Sequence, residues 1–277
     1  MTRLQQAAHD ARRVLQTPGT FTNWPEVLRD LAAERVGRGA AELTFRTRDG
    51  LVVSCPNVPG ARLPIYEQYA DDCYRLDWFL GTLAHQPLTV VDIGAHIGAF
   101  ALNIARRHPG TRVHCYEPSA RSAEYLRRNA AANALGTRIT VHEAAVADRQ
   151  GTALFDDNAD ASVHNGLVRD DRRLVDGADA PGSRRSVEVA TTTFDAAVAA
   201  VGGPDVVKLD CEGGEYDLVP ASRPESWRTV RRIVIEHHPV PGRSWDALRE
   251  WFAAAGLHVV ADETTGPGLG TAWLARG

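Results

Sequence analysis

The sequence lacks a long apolar run, a paired-cysteine motif and a strong excess of charge of one sign. No stretch of the 277-residue sequence has the roughly 18–20 consecutive apolar residues that a membrane-spanning helix needs. A formal net charge of −4 provides no general attraction to nucleic acid. The four cysteines show neither CxxC nor metal-ligand spacing. These absences predict a cytoplasmic protein without a membrane or nucleic-acid partner, and leave a homodimer open.

Lysine is almost absent too. Of the 31 basic residues, Lys208 alone is a lysine, and it lies within the apolar run Val206–Leu209. An ammonium is more compact than the planar guanidinium of arginine, so this position favours a small cation or reflects chance. We expect Lys208 to pair with a nearby carboxylate rather than to contact a substrate.

Two regions differ in their pattern, and we predict a boundary between residues 1–85 and 86–277. In the first, residues 1–38 are polar and helical with a break at residues 17–19, and Asp49-Gly50 predicts a β-hairpin. A loop is expected over residues 56–64, followed by one or two helices up to Leu83. In the second, apolar strands alternate with helices, which is typical of a parallel sheet with helices on both faces. Residues 156–185 are predicted to form a long loop.

A strand, a glycine turn and a helix follow one another around Asp92. Gly94 would let the backbone approach a ligand, and Gly98 would let the helix pack on the strand. The next strand ends at Glu117, whose carboxylate could bind both hydroxyls of a ribose. Because ligands of open α/β sheets bind at the carboxyl ends of the strands, this pattern predicts a nucleoside site.

The spacing of the glycines narrows the choice of cofactor. They follow G-x-x-x-G rather than G-x-G-x-x-G, and the turn lacks the Lys-Ser/Thr ending of a P-loop. A cofactor with phosphates is therefore disfavoured, which argues against an NAD(P)-dependent oxidoreductase. S-adenosylmethionine contains adenosine without phosphate and fits the pattern.

An ordered series of motifs adds a family resemblance. After Asp92–Phe100 and Tyr116-Glu117-Pro118 come the blocks Glu143–Asp148, Thr191–Asp195, Val207–Glu215 and Ile233–His238. The series resembles the FkbM family of class I methyltransferases, which modify hydroxyl groups of sugars, macrolides and other secondary metabolites. The resemblance implies a Rossmann-like α/β fold with a mostly parallel seven-stranded sheet, preceded here by N-terminal helices and a β-hairpin that cap the substrate.

The resemblance also implies a set of cofactor contacts. Glu117 would bind the ribose, the loop from Gly94 to His96 the amino-acid moiety, and Ala145 with Val146 the adenine. His96 stands where the family often has asparagine. The complete predicted set for S-adenosylmethionine is Asp92, Gly94, His96, Gly98, Glu117, Pro118, Ala145, Val146 and Asp210.

Methylation of an alcohol is helped by a general base, and several candidates follow adjacent strands. They are Asp210, Glu212 and either His237 or His238, with histidine favoured because it titrates near neutral pH. Glu212 could instead cap a helix. Since consecutive strand residues face opposite ways, at most one of the two histidines would enter the site. The predicted catalytic residues are Asp210, His237, Glu212 and Lys208.

A metal-assisted mechanism is an alternative that uses residues at the same strand ends. Asp210, Glu236 and His237 could hold a divalent ion, although a metal is not favoured. A silent methyltransferase-like binding domain would be expected to lack Glu117 or Asp210, and nucleic-acid methylation would call for a basic face. The sequence favours O-methylation of a small hydroxylated substrate such as a sugar, polyketide or nucleoside.

Overall fold

The computed structural model describes residues 3–34, 36–158, 165–168 and 184–277. Most of the loop predicted over residues 156–185 lies outside the described residues. The described residues on either side of that stretch form strands.

The N-terminal region contains helices and the predicted hairpin. Its elements are α1 (Arg3–Thr20), α2 (Trp24–Glu34), β1 (Glu42–Arg46), β2 (Val52–Pro56), α3 (Pro59–Tyr69) and α4 (Leu76–Leu80), followed by a 3₁₀ turn (Gly81–His85). The antiparallel pairing of β1 and β2 confirms the hairpin.

Two local predictions in this region were wrong. Helix α1 does not break at residues 17–19 but continues through Pro18, because Thr17 is fully buried and hydrogen-bonded to Tyr66 Oη at 2.8 Å. Residues 56–64 are not all loop either. Helix α3 starts at Pro59, where proline is tolerated since the first helical N–H has no partner within the helix.

The remainder of the chain alternates strands and helices. Its elements are β3 (Thr89–Ile93), α5 (Ala99–Arg107), β4 (Arg112–Tyr116), α6 (Ala120–Ala132), β5 (Ile139–His142), β6 (Ala145–Ala147), β7 (Gly151–Asn158), β8 (Gly166–Leu167), β9 (Arg184–Thr193), α7 (Phe194–Val201), β10 (Val206–Leu209), α8 (Glu215–Ala221), β11 (Arg232–His237), α9 (Trp245–Ala254), β12 (Leu257–Gly266) and β13 (Leu269–Arg276).

Seven of these strands form the main sheet in the order β12-β13-β11-β10-β3-β4-β5. The strands from β11 to β5 run parallel, and β13 is antiparallel to both of its neighbours. This confirms the predicted mostly parallel seven-stranded α/β fold. The chain proceeds from β3 outward to β5 and then returns to β10 on the other side of β3. The topological switch point, where such sheets bind ligands, therefore lies between β3 and β10.

The sheet has a buried core on each face. Val90, Val206 and Val234 pack on the face that holds α5 and α6, whereas their neighbours along each strand pack on the face that holds α7, α8 and α9. Apolar residues of the N-terminal region, such as Phe45 and Ile65, belong to the first of these clusters. The N-terminal region thus shares a core with the sheet at the edge where its strands end.

A second sheet of four strands, in the order β6-β9-β7-β8, lies next to the end of β5. It places Ala145, Val146, Phe155 and Leu167 around the same edge of the main sheet. Among the helices within the described ranges, none combines the length and apolar character that a bilayer crossing requires.

Candidate active site

A cavity of about 290 Å³ opens at the carboxyl ends of β3, β4, β10 and β11. One wall consists of the strand ends and their following turns. The opposite wall is helix α3 together with Tyr74, from the N-terminal region. Its volume is that of a small-molecule site, and it lies at the switch point of the sheet.

The glycine turn after β3 brings the chain close to the end of β10. Gly94 has φ +76°, and a Cβ there would lie 1.7 Å from the carbonyl oxygen of Asp210. Glycine is therefore required by the neighbouring backbone, although Gly94 also lines the cavity. Gly98 does not line it. Its φ is +88°, and a Cβ there would lie 2.8 Å from Leu126 of α6. Gly98 was predicted to contact the cofactor and to let its helix pack on the strand. The structure corrects both predictions, because Gly98 lies outside the cavity lining and allows the start of α5 to approach α6.

Glu117 is held rigidly at the end of β4. Its two carboxylate oxygens accept hydrogen bonds from the backbone N–H of His96 at 2.7 Å and of Ser119 at 2.9 Å. Burial raises the pKa of Glu117 to about 7 and lowers that of His96 to about 4. His96 is therefore neutral at neutral pH, and its backbone, at φ +50°, serves to orient Glu117.

Lys208 connects the glycine turn to the end of β10. Its ammonium donates to the carbonyl of Gly94 at 2.6 Å and lies 3.3 Å from carboxylate oxygens of both Asp92 and Asp210. Burial alone would lower the pKa of Lys208, but the surrounding carboxylates outweigh it and raise that pKa. This geometry matches the expected pairing of Lys208 with a carboxylate.

Asp92 lies beneath the cavity rather than in it. Its side chain is fully buried and does not line the cavity, which corrects the predicted contact with the cofactor. Burial raises the pKa of Asp92, and Lys208 opposes that rise. Asp92 thus acts on the site through the ammonium that it holds.

One part of the cavity wall is mostly apolar. Tyr116, Pro118, Ala145 and Val146 line it, together with Phe155 of the second sheet. Pro118, Ala145 and Val146 were in the predicted cofactor set. The surface is suited to a flat, apolar group such as a purine ring, next to the carboxylate of Glu117.

An acidic cluster with one histidine occupies the ends of β10 and β11. Asp210, Glu236 and His238 each offer a ligand atom, and these atoms lie within 4.8 Å of one another. The hydroxyl of Tyr74 donates to Glu236 at 2.6 Å and lies 3.5 Å from Asp210. Burial, together with the charge of Asp210, raises the pKa of Glu236 to about 8.

The structure corrects the choice between the two histidines. His237 is buried on the far side of β11, stacked on Trp245 at 4.7 Å with Nδ1 at 3.2 Å from the carbonyl of Gly268. It does not line the cavity and does not belong to the cluster that could hold a metal. His238 lines the cavity and belongs to the cluster instead, because neighbouring residues at a strand end face opposite ways.

His238 is not suited to act as a base. Its backbone N–H donates to Glu215 at 2.9 Å, its Nδ1 lies 3.3 Å from the same oxygen, and its Nε2 lies 3.6 Å from Glu212. Burial, the largest single effect, lowers its pKa, but these carboxylates together raise it to about 10. The imidazole is therefore protonated at neutral pH, and the reason for favouring histidine as the base does not hold here.

Glu212 lines the cavity in a turn with φ +53°. The N-cap of α8 is Gly214, without a side-chain cap, and Glu215 at the first helical position accepts the backbone N–H of Gly213 at 2.9 Å. Of the predicted catalytic residues, the structure brings Asp210, Glu212 and Lys208 to the cavity and leaves His237 outside it.

Five residues of the N-terminal wall were missed by the sequence analysis: Leu63, Pro64, Glu67, Gln68 and Tyr74. The first four repeat at the i, i+4 spacing of one helix face, which is the signal that could have found them. The predicted loop over residues 56–64 hides this spacing, because it excludes Leu63 and Pro64 from the helix.

The chain is similar to several known proteins. A family model described as the methyltransferase FkbM domain matches residues 92–259. The 31-O-demethyl-FK506 methyltransferase FkbM of Streptomyces tacrolimicus is 28% identical, over 79% of this chain and 90% of that protein. Methyltransferase sdnD of Sordaria araneosa is 25% identical, over 62% of this chain and 73% of that protein. The crystal structure of magnesium protoporphyrin IX methyltransferase from Synechocystis PCC 6803 with bound SAM is 12% identical with a TM-score of 0.41, covering 77% of this chain and 80% of that one.

The fold, the site and the family match together define a methyltransferase. Within that class, the chain belongs to the FkbM methyltransferase family, whose model spans more than half of it.

Proposed function

We propose that this chain transfers a methyl group from S-adenosylmethionine to a hydroxyl oxygen of a small substrate. The observation that carries the proposal is a single cavity that joins two kinds of chemistry. At one end stands Glu117, oriented by two backbone N–H groups beside an apolar surface. At the other stand Asp210, Glu236 and Tyr74, a hydrogen-bonded acidic group.

The residues present fit an adenosine cofactor without phosphates. Each oxygen of Glu117 accepts one backbone hydrogen bond and retains a lone pair for a ribose hydroxyl. Lys208 and His238 are the basic side chains among the described residues that line the cavity, apart from the neutral His96, and both are bound to carboxylates. Neither is available for a pyrophosphate, which disfavours the alternative of an NAD(P)-dependent oxidoreductase.

Bound S-adenosylmethionine supplies an electrophilic methyl group on a positively charged sulfur. The chain's own residues must then align the acceptor oxygen behind that methyl group, exclude water and remove a proton. Helix α3 and Tyr74 close the side of the cavity opposite the strand ends. We infer that they form the substrate cap and hold the acceptor against Asp210 and Glu236.

Glu236 and Asp210 are the proton acceptors that we propose. A carboxyl with a pKa near 8 is matched to a reaction at neutral pH, and Glu236 has that value because of burial and the nearby charge of Asp210. When the acceptor hydroxyl attacks the methyl group, its proton passes to a carboxylate oxygen of this pair. Lys208 stays charged throughout and keeps Asp210 in place at 3.3 Å.

A metal ion is not needed in this scheme. Asp210, Glu236 and His238 have the donor atoms for a divalent cation. Lys208 is already paired with Asp210, and His238 is a protonated imidazolium paired with Glu212 and Glu215, so it has no lone pair to offer a metal. We therefore propose metal-independent transfer.

The names of the relatives support the acceptor class. One relative is named for a 31-O-demethyl compound, which indicates methylation of an oxygen. At 28% identity over most of both chains, this favours O-methylation of a secondary metabolite or sugar here, with the particular acceptor set by residues 1–85.

Calorimetry with S-adenosylmethionine tests the proposal. The wild-type chain is expected to bind it, and Glu117→Ala to weaken binding by about 100-fold, since two hydrogen bonds to a buried carboxylate are lost. Glu225→Gln, at an exposed position away from the cavity, is the matched control and should bind as the wild type does. No binding at millimolar cofactor would exclude the proposed donor, and unchanged affinity in Glu117→Ala would exclude the ribose contact.

Transfer is tested separately with cofactor carrying an isotopically labelled methyl group and a panel of hydroxylated acceptors. Label in an ether linkage of an acceptor supports O-methylation. Binding of the cofactor without transfer to any acceptor would favour the silent binding domain instead, and label on nitrogen would refute the choice of atom.

A further inference from the structure

Glu67 is a carboxylate of the N-terminal wall that the scheme above does not use. It lies on the face of α3 that also carries Leu63, Pro64 and Gln68, and it lines the cavity. It also lies outside residues 92–259, which the family model matches. The family model therefore does not account for its position.

The described residues give Glu67 no hydrogen bond and no ion pair, although it is largely buried. The two cations that act on the pKa of Glu67 are each paired with other carboxylates. Arg13 is paired with Asp71 at 2.6 Å, and Lys208 is paired with Asp92 and Asp210. Burial, followed by the charge of Asp210, raises the pKa of Glu67 to about 7.

Glu67 lines the same cavity as Asp210 and Glu236, whose carboxylate oxygens lie within 4.8 Å of each other. Asp210 acts on the pKa of both Glu67 and Glu236, and Glu67 acts on that of Glu236. Glu236 has a hydrogen bond from Tyr74 but no ion pair among the described residues. Three acidic side chains from two walls thus converge on one end of the cavity with too few cations to balance them.

A cation bound between Glu67 and Glu236 lowers the pKa of both carboxyls and so favours their ionised form. Ionised carboxylates accept hydrogen bonds and cannot donate them, so this end of the cavity favours a ligand that donates. A hydroxyl donates one hydrogen bond and brings no charge. A protonated amine donates up to three and also relieves the repulsion between the carboxylates. A phosphate or carboxylate on the ligand would be repelled.

We propose that Glu67 is a substrate-recognition residue, and that with Glu236 it binds a protonated amine carried by the acceptor near the hydroxyl that is methylated. The inference rests on the proposed function and names its substrate class, a polyhydroxylated amine such as an amino sugar or aminocyclitol. Glu67 supplies the contact from the cap, and Glu236 the contact from the strand ends.

Binding of matched probes to the chain saturated with S-adenosylhomocysteine tests this inference. Glucosamine is compared with glucose, and 2-deoxystreptamine with myo-inositol, by saturation-transfer NMR and competition at millimolar concentration. The amine of each pair is expected to bind at least about tenfold more tightly than its neutral partner, as a charge-assisted hydrogen bond implies. Glu67→Gln keeps the shape of the side chain and should abolish that preference, whereas Glu225→Gln should preserve it.

Other results would overturn the inference. These are equal binding of amine and neutral probe, no binding of any probe, or a preference for the amine that survives Glu67→Gln. The acidic end could alternatively serve the positive sulfur of the methyl donor. In that case Glu67→Gln would lower affinity for S-adenosylmethionine and leave that for the neutral S-adenosylhomocysteine unchanged, with no effect on the amine probes. Failure of the proposed function is distinct, because the chain would then bind neither of these cofactor forms, or would bind them without transferring the labelled methyl group to an acceptor oxygen.

Discussion

The two walls of the cavity are built on different physical principles. On the strand wall, formed by the ends of β3, β4, β10 and β11, polar groups are held by other groups of the chain. Glu117 is fixed by two backbone N–H groups, Lys208 by a carbonyl and two carboxylates, and His238 by Glu215. On the helix wall, formed by α3 and Tyr74, Glu67 has no such partner among the described residues. One wall is preorganised, and the other offers a carboxylate without a protein partner among the described residues.

This difference matches the ligands that we assign to the walls. A cofactor that never varies is best bound by groups fixed before it arrives, because no ordering cost is then incurred on binding. An acceptor that differs between relatives requires a wall whose side chains can change without disturbing the rest. The family model covers the strand wall and stops short of the helix wall. Tyr74 is the contact between them, since its hydroxyl donates to Glu236.

The largest effect on stability is expected from replacing Lys208, at the centre of the strand wall. Lys208→Met would leave Asp92 buried without its cation, and should lower the free energy of unfolding by about 3 kcal/mol or more. Denaturant unfolding measures this loss. Lys208→Arg should not rescue it, because a planar guanidinium cannot take the place of the ammonium 2.6 Å from the carbonyl of Gly94.

The double variant Lys208→Met with Asp92→Asn separates stability from function. Removing the unpaired charge should restore much of the stability, while affinity for S-adenosylmethionine stays reduced because the turn at Gly94 has lost its support. If Lys208→Met alone is as stable as the wild type, the strand wall is not held together in the way described.

Raising the pH is expected to lower the stability of the chain by a smaller amount, through carboxyl groups on both walls. Glu67, Glu117 and Glu236 have pKa values of about 7, 7 and 8 in the folded chain, against a usual value of 4.5. The folded state holds these protons where an unfolded chain has released them, so their contribution to stability is lost as the pH rises through these values. Stability of the unliganded chain should fall by roughly 1 kcal/mol or more between about pH 6.5 and 8.5.

Thermal unfolding across this range measures the fall, and Glu236→Gln should make it shallower. Glu225→Gln, at a surface carboxyl, should leave the slope unchanged. The range stays above pH 6.5 because the lowered pKa of His96 acts in the opposite direction below it. Stability that rises between these pH values would contradict the assigned shifts.

The smallest effect is expected from metal removal. Because Lys208 and His238 already supply positive charge beside Asp210, a chelator should leave affinity for S-adenosylmethionine and the thermal midpoint unchanged within error. Titration of Mg²⁺ into the chelator-treated chain should give no binding heat at millimolar concentration. Tight binding that is lost in Asp210→Asn would instead establish a metal centre and refute metal-independent transfer.

Much of the strand wall could be predicted because its residues sit in local patterns. The turn around Gly94, the acid at Glu117 and the pair Ala145 and Val146 follow their strands directly, and parallel strands bring their ends together. The choice between His237 and His238 could not be predicted, because it depends on where β11 stops being regular and which way its last side chain points.

The helix wall was harder to predict for a different reason. Its carboxylate, Glu67, is separated from Asp210 by more than half of the chain, and tertiary packing of α3 on α5 and β2 positions it. A single charged residue on a helix face resembles any solvated position in sequence. Nor does a sequence pattern reveal that Arg13, one of the cations near Glu67, is engaged by Asp71.

The sequence by itself therefore determined the sheet, the cofactor turn and the family, since these depend on short-range periodicity and on motifs whose parts are adjacent. The tertiary structure decided which groups are buried, paired or left without a partner. Burial and pairing depend on distances between distant segments, and those distances set the charge state of Glu67, Glu236 and His238.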